Sequence, residues 1–413
     1  MTGAQLARRL GTTDAALIGV GSMVGAGVFA VWAPAARAAG NGLLIGLLLA
    51  GIVAYCNAAS SAQLAAVYPL SGGTYVYGRE RLGPWWGFAA GWSFLIGKTA
   101  SCAAMALTFA TYAVPGNEPV RRLVALAAVA GLTAVNYRGI TRTARLTRIL
   151  VGCSLAVLAV VVAVLLTAAE PERLTDGSTS VYGVLQSAGL LFFAFAGYAR
   201  IATMGEEVRD PARTIPRAVT IALVVAGSIY LFVAVALLMA WPAALVAGSP
   251  DPLAAAVDAA GHAFAVPVVR VGAALASLGA LLALIAGIGR TSLAMARERD
   301  LPSWLAAVHP RYRVPHHAEL AVAAVVGVLV LTTDLRGVIG FSSFGVLLYY
   351  AIANASAYTQ PREQRRWPRA VNVFGLVGCA VLAVTLPVTS VLAGAAVVLL
   401  GLAGRLVARR VRR

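Results

Sequence analysis

Two basic side chains fall where water does not reach. Lys98, in Phe94-Leu95-Ile96-Gly97-Lys98-Thr99-Ala100-Ser101, and Arg200, three residues after Gly197, both lie inside long apolar runs. Lys98 is the only lysine among the 33 Lys and Arg residues. A charge at mid-membrane depth costs about 2.5 to 3.5 kcal/mol on insertion scales, and such residues usually face a cavity or a partner. No Asp or Glu is predicted at that depth to neutralise Lys98. Three roles stay open for it. It is a proton carrier, because an ammonium without a counter-charge gives up its proton readily, or an anchor for an anionic group, or a donor to the backbone carbonyls of a broken helix. Arg200 stays charged, and it either snorkels to the inner surface, meets Glu206 or Glu207, forms an inner gate, or contacts an acidic group on a bound molecule.

Other chemistries lack their residues. No apolar run holds paired carboxylates, and His262, His309, His316 and His317 all fall outside the runs, so neither membrane-embedded catalysis nor a metal site is expected. Cys56, Cys102, Cys153 and Cys379 lie inside apolar runs with no C-x-x-C spacing, which marks them as packing residues. No cofactor is expected.

The elements that must position Lys98 and Arg200 follow from composition. The 413 residues are 60% hydrophobic and 12% charged, about half the charge of a soluble chain, with mean hydropathy +0.82. No polar stretch is long enough to be a soluble domain. A spanning helix needs about 20 mainly apolar residues. Twelve such runs are present, at 14–35, 42–67, 85–113, 120–136, 147–168, 182–204, 217–241, 267–292, 318–333, 337–358, 371–386 and 388–404. The first reads as a span and not as a cleaved leader.

With twelve spans both termini share one side. Of the basic residues, 25 fall in the N-terminal segment, the even-to-odd loops and the tail, against six on the other side, which puts both termini in the cytoplasm. The net charge of +17 is therefore an orientation signal, and no nucleic-acid partner is expected.

Two spans carry interruptions. Span 1 reads Gly19-Val20-Gly21-Ser22-Met23-Val24-Gly25-Ala26-Gly27-Val28-Phe29, and span 6 reads Phe192-Phe193-Ala194-Phe195-Ala196-Gly197-Tyr198. Each Gly costs a helix about 1 kcal/mol relative to Ala, so span 1 is weakened by several kcal/mol. The two sites are five spans apart, as expected of inverted repeats with broken first helices. Close packing through small residues is the alternative for the span 1 glycines. An unwound segment presents N–H groups at a half-helix N-terminus, which suits a carboxylate.

These segments resemble the amino acid, polyamine and organocation (APC) superfamily, in particular bacterial amino acid permeases. Val24-Gly25-Ala26-Gly27-Val28-Phe29 is similar to that family's I-G-S-G-I-F segment, with Ala26 in place of Ser. Tyr68-Pro69-Leu70-Ser71-Gly72-Gly73-Thr74-Tyr75 is similar to its P-x-x-G-G-x-Y pattern. Phe193 to Gly197, with Glu206-Glu207-Val208-Arg209-Asp210-Pro211, resembles its span 6 and following loop, and Ala294-Met295-Ala296-Arg297 through Leu301-Pro302 is a fourth match.

The resemblance implies an all-α integral membrane protein of twelve helices: a 5+5 inverted repeat with helices 1 and 6 broken, then two further helices. Repeat boundaries are expected at 1–170 and 171–360, with 361–413 holding the last two spans and a basic tail. It implies that Gly25, Ala26 and Gly27 serve a substrate carboxylate, with Ser22 a further substrate-binding candidate, and that Phe193, Ala194, Phe195, Ala196 and Gly197 serve its amino group. Phe195, Tyr198, Arg200, Glu206 and Glu207 are candidate gating residues, the last two in a cytoplasmic charge network with Arg209, Asp210, Arg213 and Arg217. Some members of that superfamily that couple to protons place a Lys in span 5. Span 5 has none here, so the coupling role moves to Lys98. Span 8 offers only Ser277 as a hydroxyl between Pro267 and Gly289, which disfavours sodium. The expected activity is amino acid transport by alternating access at the bacterial inner membrane, as proton symport or as exchange. A substrate sensor would call for a signalling domain, and none follows Gly404.

Overall fold

Runs this long must satisfy their backbone groups internally in lipid, and they do so as helices. The computed structural model describes residues 10–68, 72–114, 116–138, 144–175, 177, 179–202 and 208–411. The described chain is helical, with one isolated bridge between Leu10 and Val208. In chain order the helices begin α1 (Thr12–Met23), α2 (Gly27–Ala30), α3 (Trp32–Ala39), α4 (Leu43–Val67), α5 (Thr74–Leu82) and α6 (Pro84–Ala113). Next come α7 (Glu118–Tyr137), α8 (Ala144–Thr167), α9 (Val181–Phe195), α10 (Ala199–Ala202), α11 (Pro211–Ala240) and α12 (Ala243–Gly248). The last are α13 (Pro252–Ala259), α14 (Val266–Arg297), α15 (His316–Thr332), α16 (Leu335–Tyr358), α17 (Arg369–Thr385) and α18 (Val388–Val411).

Ten segments among the described residues are long and apolar enough to cross a membrane, and the 17-residue helices α15 and α17 bring the crossings to twelve. Span 1 runs further than expected. After its break the chain is hydrogen-bonded from Gly27 through Ala35, with Val31 donating to Gly27 and Ala35 to Val31, and α3 stops only where Gly40 turns to φ +55°.

Span 3, which is α6, lies between α16 and α14. Gly97 and Gly345 bring α6 and α16 together: a Cβ on Gly97 would sit 3.0 Å from the Ser342 carbonyl, and one on Gly345 2.7 Å from that of Ser93. The Ser101 and Ser342 hydroxyls share a 2.7 Å hydrogen bond across this contact. That packing fixes the rotation of α6 and therefore the direction of Lys98. On the other side, α4 packs against α9, α11, α16 and α17. A buried polar chain, Asn372 to Ser60 (2.7 Å), Ser60 to Asn354 (2.6 Å) and Asn354 to Asn57 (2.6 Å), ties α17, α4 and α16 together. Its members pair with one another inside an apolar bundle, although Asn57 Nδ2 and Asn372 Oδ1 at its two ends have no partner among the described residues.

Candidate functional site

Both expected breaks are present. Residues 24–26 leave helical geometry between α1 and α2, and α9 gives way to a 3-10 turn over Ala196–Tyr198 before α10. At the first break Val24 still donates to Val20, but the N–H groups of Gly25, Ala26 and Gly27 have no acceptor among the described residues. Three donors at the start of a helix form an anion site in outline.

The breaks lie against each other. A Cβ on Gly27 would stand 2.8 Å from the Ala194 Cα, and one on Gly197 would overlap the Ser22 carbonyl. Gly25 faces span 8, with the Ala280 Cβ 2.9 Å from its own Cβ position. Glycine at 27 and 197 thus permits two backbones to touch at mid-membrane, so the packing role and the unwinding role of these residues coincide.

Side chains hold the exposed carbonyls. Lys98, 6% exposed, donates to the Ala196 carbonyl at 3.1 Å, and the Tyr350 hydroxyl reaches the same oxygen at 3.5 Å. Tyr230 donates to the Ala194 carbonyl at 3.0 Å, and Tyr112 to that of Phe29 at 3.2 Å. Of the three roles open to Lys98, the structure displays donation to a broken helix.

The other candidates divide. Ala26, Phe193, Ala194, Phe195, Ala196 and Tyr198 are all buried around the two breaks. The Ser22 hydroxyl bonds back to Ile18 within α1 at 2.8 Å, so only its backbone meets span 6. The Phe195 ring meets Tyr230 edge-on at 5.1 Å and faces Gly51 and Gly227, wedged between α4 and α11. Tyr198 stacks on Tyr350 at 4.9 Å. Arg200 is half-buried in α10. Glu206 and Glu207 lie outside the described residues. Of the charge network expected with them, Arg213 and Asp210 form a loose, exposed pair at 3.8 Å.

A tighter cluster lies elsewhere. Asp300, just past α14, takes Arg405 of α18 at 2.6 Å, Arg79 of α5 at 3.1 Å and the Tyr75 hydroxyl at 2.8 Å. The Asp300 and Arg405 side chains are 4% and 3% exposed. Burial, and next the hydrogen bond to Asp300 and its charge, push the Tyr75 phenol well above its usual value of 10. Sequence reasoning matched the segment around Asp300 without assigning the residue a role. It also passed over Glu319, 2% exposed with Oε2 lacking a partner, because its run begins one residue earlier. The buried tyrosines were detectable, since a Tyr inside an apolar run needs a partner for its hydroxyl.

A family profile described as amino acid permease matches residues 10–399. A protein of Mycobacterium tuberculosis described as an uncharacterized transporter is 59% identical, over 99% of this chain and 94% of its own length. The branched-chain amino acid permease of Bacillus subtilis is 27% identical over 90% of this chain and 84% of its own. The methylthioribose transporter of the same organism is 27% identical over 83% and 77%.

Proposed function

The chain belongs to the amino acid permease family, and from that membership we propose that it carries a neutral α-amino acid across the bacterial inner membrane by alternating access. Its two breaks form the substrate site. The free N–H groups of Gly25, Ala26 and Gly27 take the carboxylate, and carbonyls of the Phe193–Gly197 segment take the ammonium. The observation that carries this assignment is the contact between the breaks: unpaired donors at Gly25–Gly27 stand against a segment whose Ala194 and Ala196 carbonyls accept from the side chains of Tyr230 and Lys98. The side chains of Ala26, Ala194 and Ala196 are small and offer a substrate side chain no charge. Lys98 nearby opposes a cationic one, and the similarity to the branched-chain amino acid permease of Bacillus subtilis supports a neutral, apolar substrate.

Transport is proton-coupled symport in this proposal, with Lys98 as the residue that gains and loses the proton. Phe195, Tyr198, Arg200, Glu206 and Glu207 act as gates. The first repeat, 1–170, rocks against the second, 171–360, while 361–413 stays outside the cycle, and both termini face the cytoplasm. A specific observation favours a second scheme. Lys98 bonded to Ala196 at 3.1 Å suits a fixed structural donor, and a fixed donor suits obligate exchange.

A thermal-shift screen of the purified protein against the common amino acids tests the substrate class. At least one neutral amino acid should raise the melting temperature. If none does, the substrate assignment fails.

A further inference from the structure

We infer that a groove along α4, between α11 and α17, binds an anionic diacyl phospholipid, with the phosphate between Arg217 and Arg366. The helix α4 packs against α11 on one side and α17 on the other, and those two helices make no extensive contact with each other among the described residues. Its uncovered stripe is Ile45, Leu48, Ile52 and Tyr55, exposed by 55, 57, 59 and 44%. Their three- and four-residue spacing makes one face. At 1.5 Å per residue this floor is about 15 Å long, half of a hydrocarbon core of about 30 Å, and so one leaflet deep.

The groove ends in a basic cap. Arg217, Thr220, Arg366 and Trp367 line a cavity of about 720 Å³. The guanidinium groups of Arg217 and Arg366 have no hydrogen-bond or ion-pair partner among the described residues, while neighbouring arginines are engaged. Arg365 donates to the Gln360 carbonyl at 2.8 Å, and Arg369 lies over Tyr358 at 4.8 Å. Among the described residues, Asp210 pairs loosely with Arg213 and not with Arg217. Trp367 donates to the Tyr55 hydroxyl at 3.3 Å, joining the cap to the floor with two residue types that favour the headgroup level. Planar guanidinium groups match phosphate oxygens, and basic pockets between spans hold anionic headgroups.

Native mass spectrometry of the full chain in neutral detergent tests this with phosphatidylglycerol, phosphatidylcholine and glycerol 3-phosphate as probes. Two exposed arginines are each worth about 1 kcal/mol to an anionic lipid, so the expected preference for phosphatidylglycerol over phosphatidylcholine is at least about ten-fold. Glycerol 3-phosphate alone should neither bind nor displace the lipid. The R217Q/R366Q variant should lose most of that preference and keep its phosphatidylcholine adducts, while R297Q/R410Q, with the same net charge, should behave as wild type. Undiminished phosphatidylglycerol binding by R217Q/R366Q would overturn the site. Equal loss in R297Q/R410Q would reduce it to general charge, and binding of glycerol 3-phosphate alone would make the ligand a free phosphate.

Discussion

Lys98 of span 3 and Ala196 of span 6 are joined by a 3.1 Å hydrogen bond from ammonium to backbone carbonyl, at the point where span 6 loses its helix. The lone lysine of the chain thus occupies an acceptor that the proposed substrate ammonium would also seek. In the proposed cycle, substrate entry and release of Lys98 are a single exchange of donors, and the proposal couples the proton to transport there.

Lys98→Met removes the donor and leaves Ala196 with the longer Tyr350 contact. Uptake driven by a pH gradient should fall by about ten-fold or more, the range of a lost charged hydrogen bond of about 1.5 to 3 kcal/mol. Thermal shifts with substrate should persist, because Met neither binds nor repels an ammonium. Retention of both substrate binding and gradient-driven uptake would remove Lys98 from the coupling role.

Gly197→Ala places a methyl group onto the Ser22 carbonyl. Overpacking of this kind costs about 1 to 3 kcal/mol and should push the breaks apart. The expected result is a folded, monodisperse protein with a lower melting temperature and little uptake. Ala substitution at Gly131, where nothing lies within 4 Å of the Cβ position, should change neither.

Asp300 holds two arginines in a buried cluster, so Asp300→Asn leaves Arg405 with an unneutralised charge. Removing one partner of such a pair costs about 3 to 5 kcal/mol, and the melting temperature should drop accordingly. Asp300→Asn with Arg405→Leu should lose less than Asp300→Asn alone. The phenol of Tyr75 adds a pH signature. Its proton is held more tightly in the folded state, so as pH rises past 10 the unfolded chain loses protons first and stability falls. Tyr75→Phe should weaken this alkaline loss, as read by melting temperature from pH 8 to 11.

Much of this was legible in the sequence. Runs of apolar residues dictate helices in lipid, and the glycines of spans 1 and 6 marked both breaks, because a weakened helix and a close backbone contact call for the same residue. Partners distant in the chain left no such trace. Asp300 meets Arg79 and Arg405 only through the packing of α5, α14 and α18, whereas the charge-rich loop after span 6 is conspicuous by local density and contributes one exposed pair among the described residues. The direction of the Lys98 side chain likewise depends on how Gly97 and Gly345 seat α6 against α16.

Sidedness has a direct check. In a variant with Cys56, Cys102, Cys153 and Cys379 replaced by Ala, Glu172→Cys should react with a membrane-impermeant maleimide on intact cells, and Arg410→Cys only after permeabilisation. The opposite pattern would invert the topology and place the arginine-rich face outside.

The most direct measurement is uptake of the stabilising amino acid into proteoliposomes that contain no internal substrate, with an imposed inside-alkaline pH gradient and an internal pH probe. Symport through Lys98 predicts accumulation together with acidification of the lumen, both lost in Lys98→Met. Accumulation that ignores the gradient and requires internal amino acid would contradict it and leave exchange as the activity.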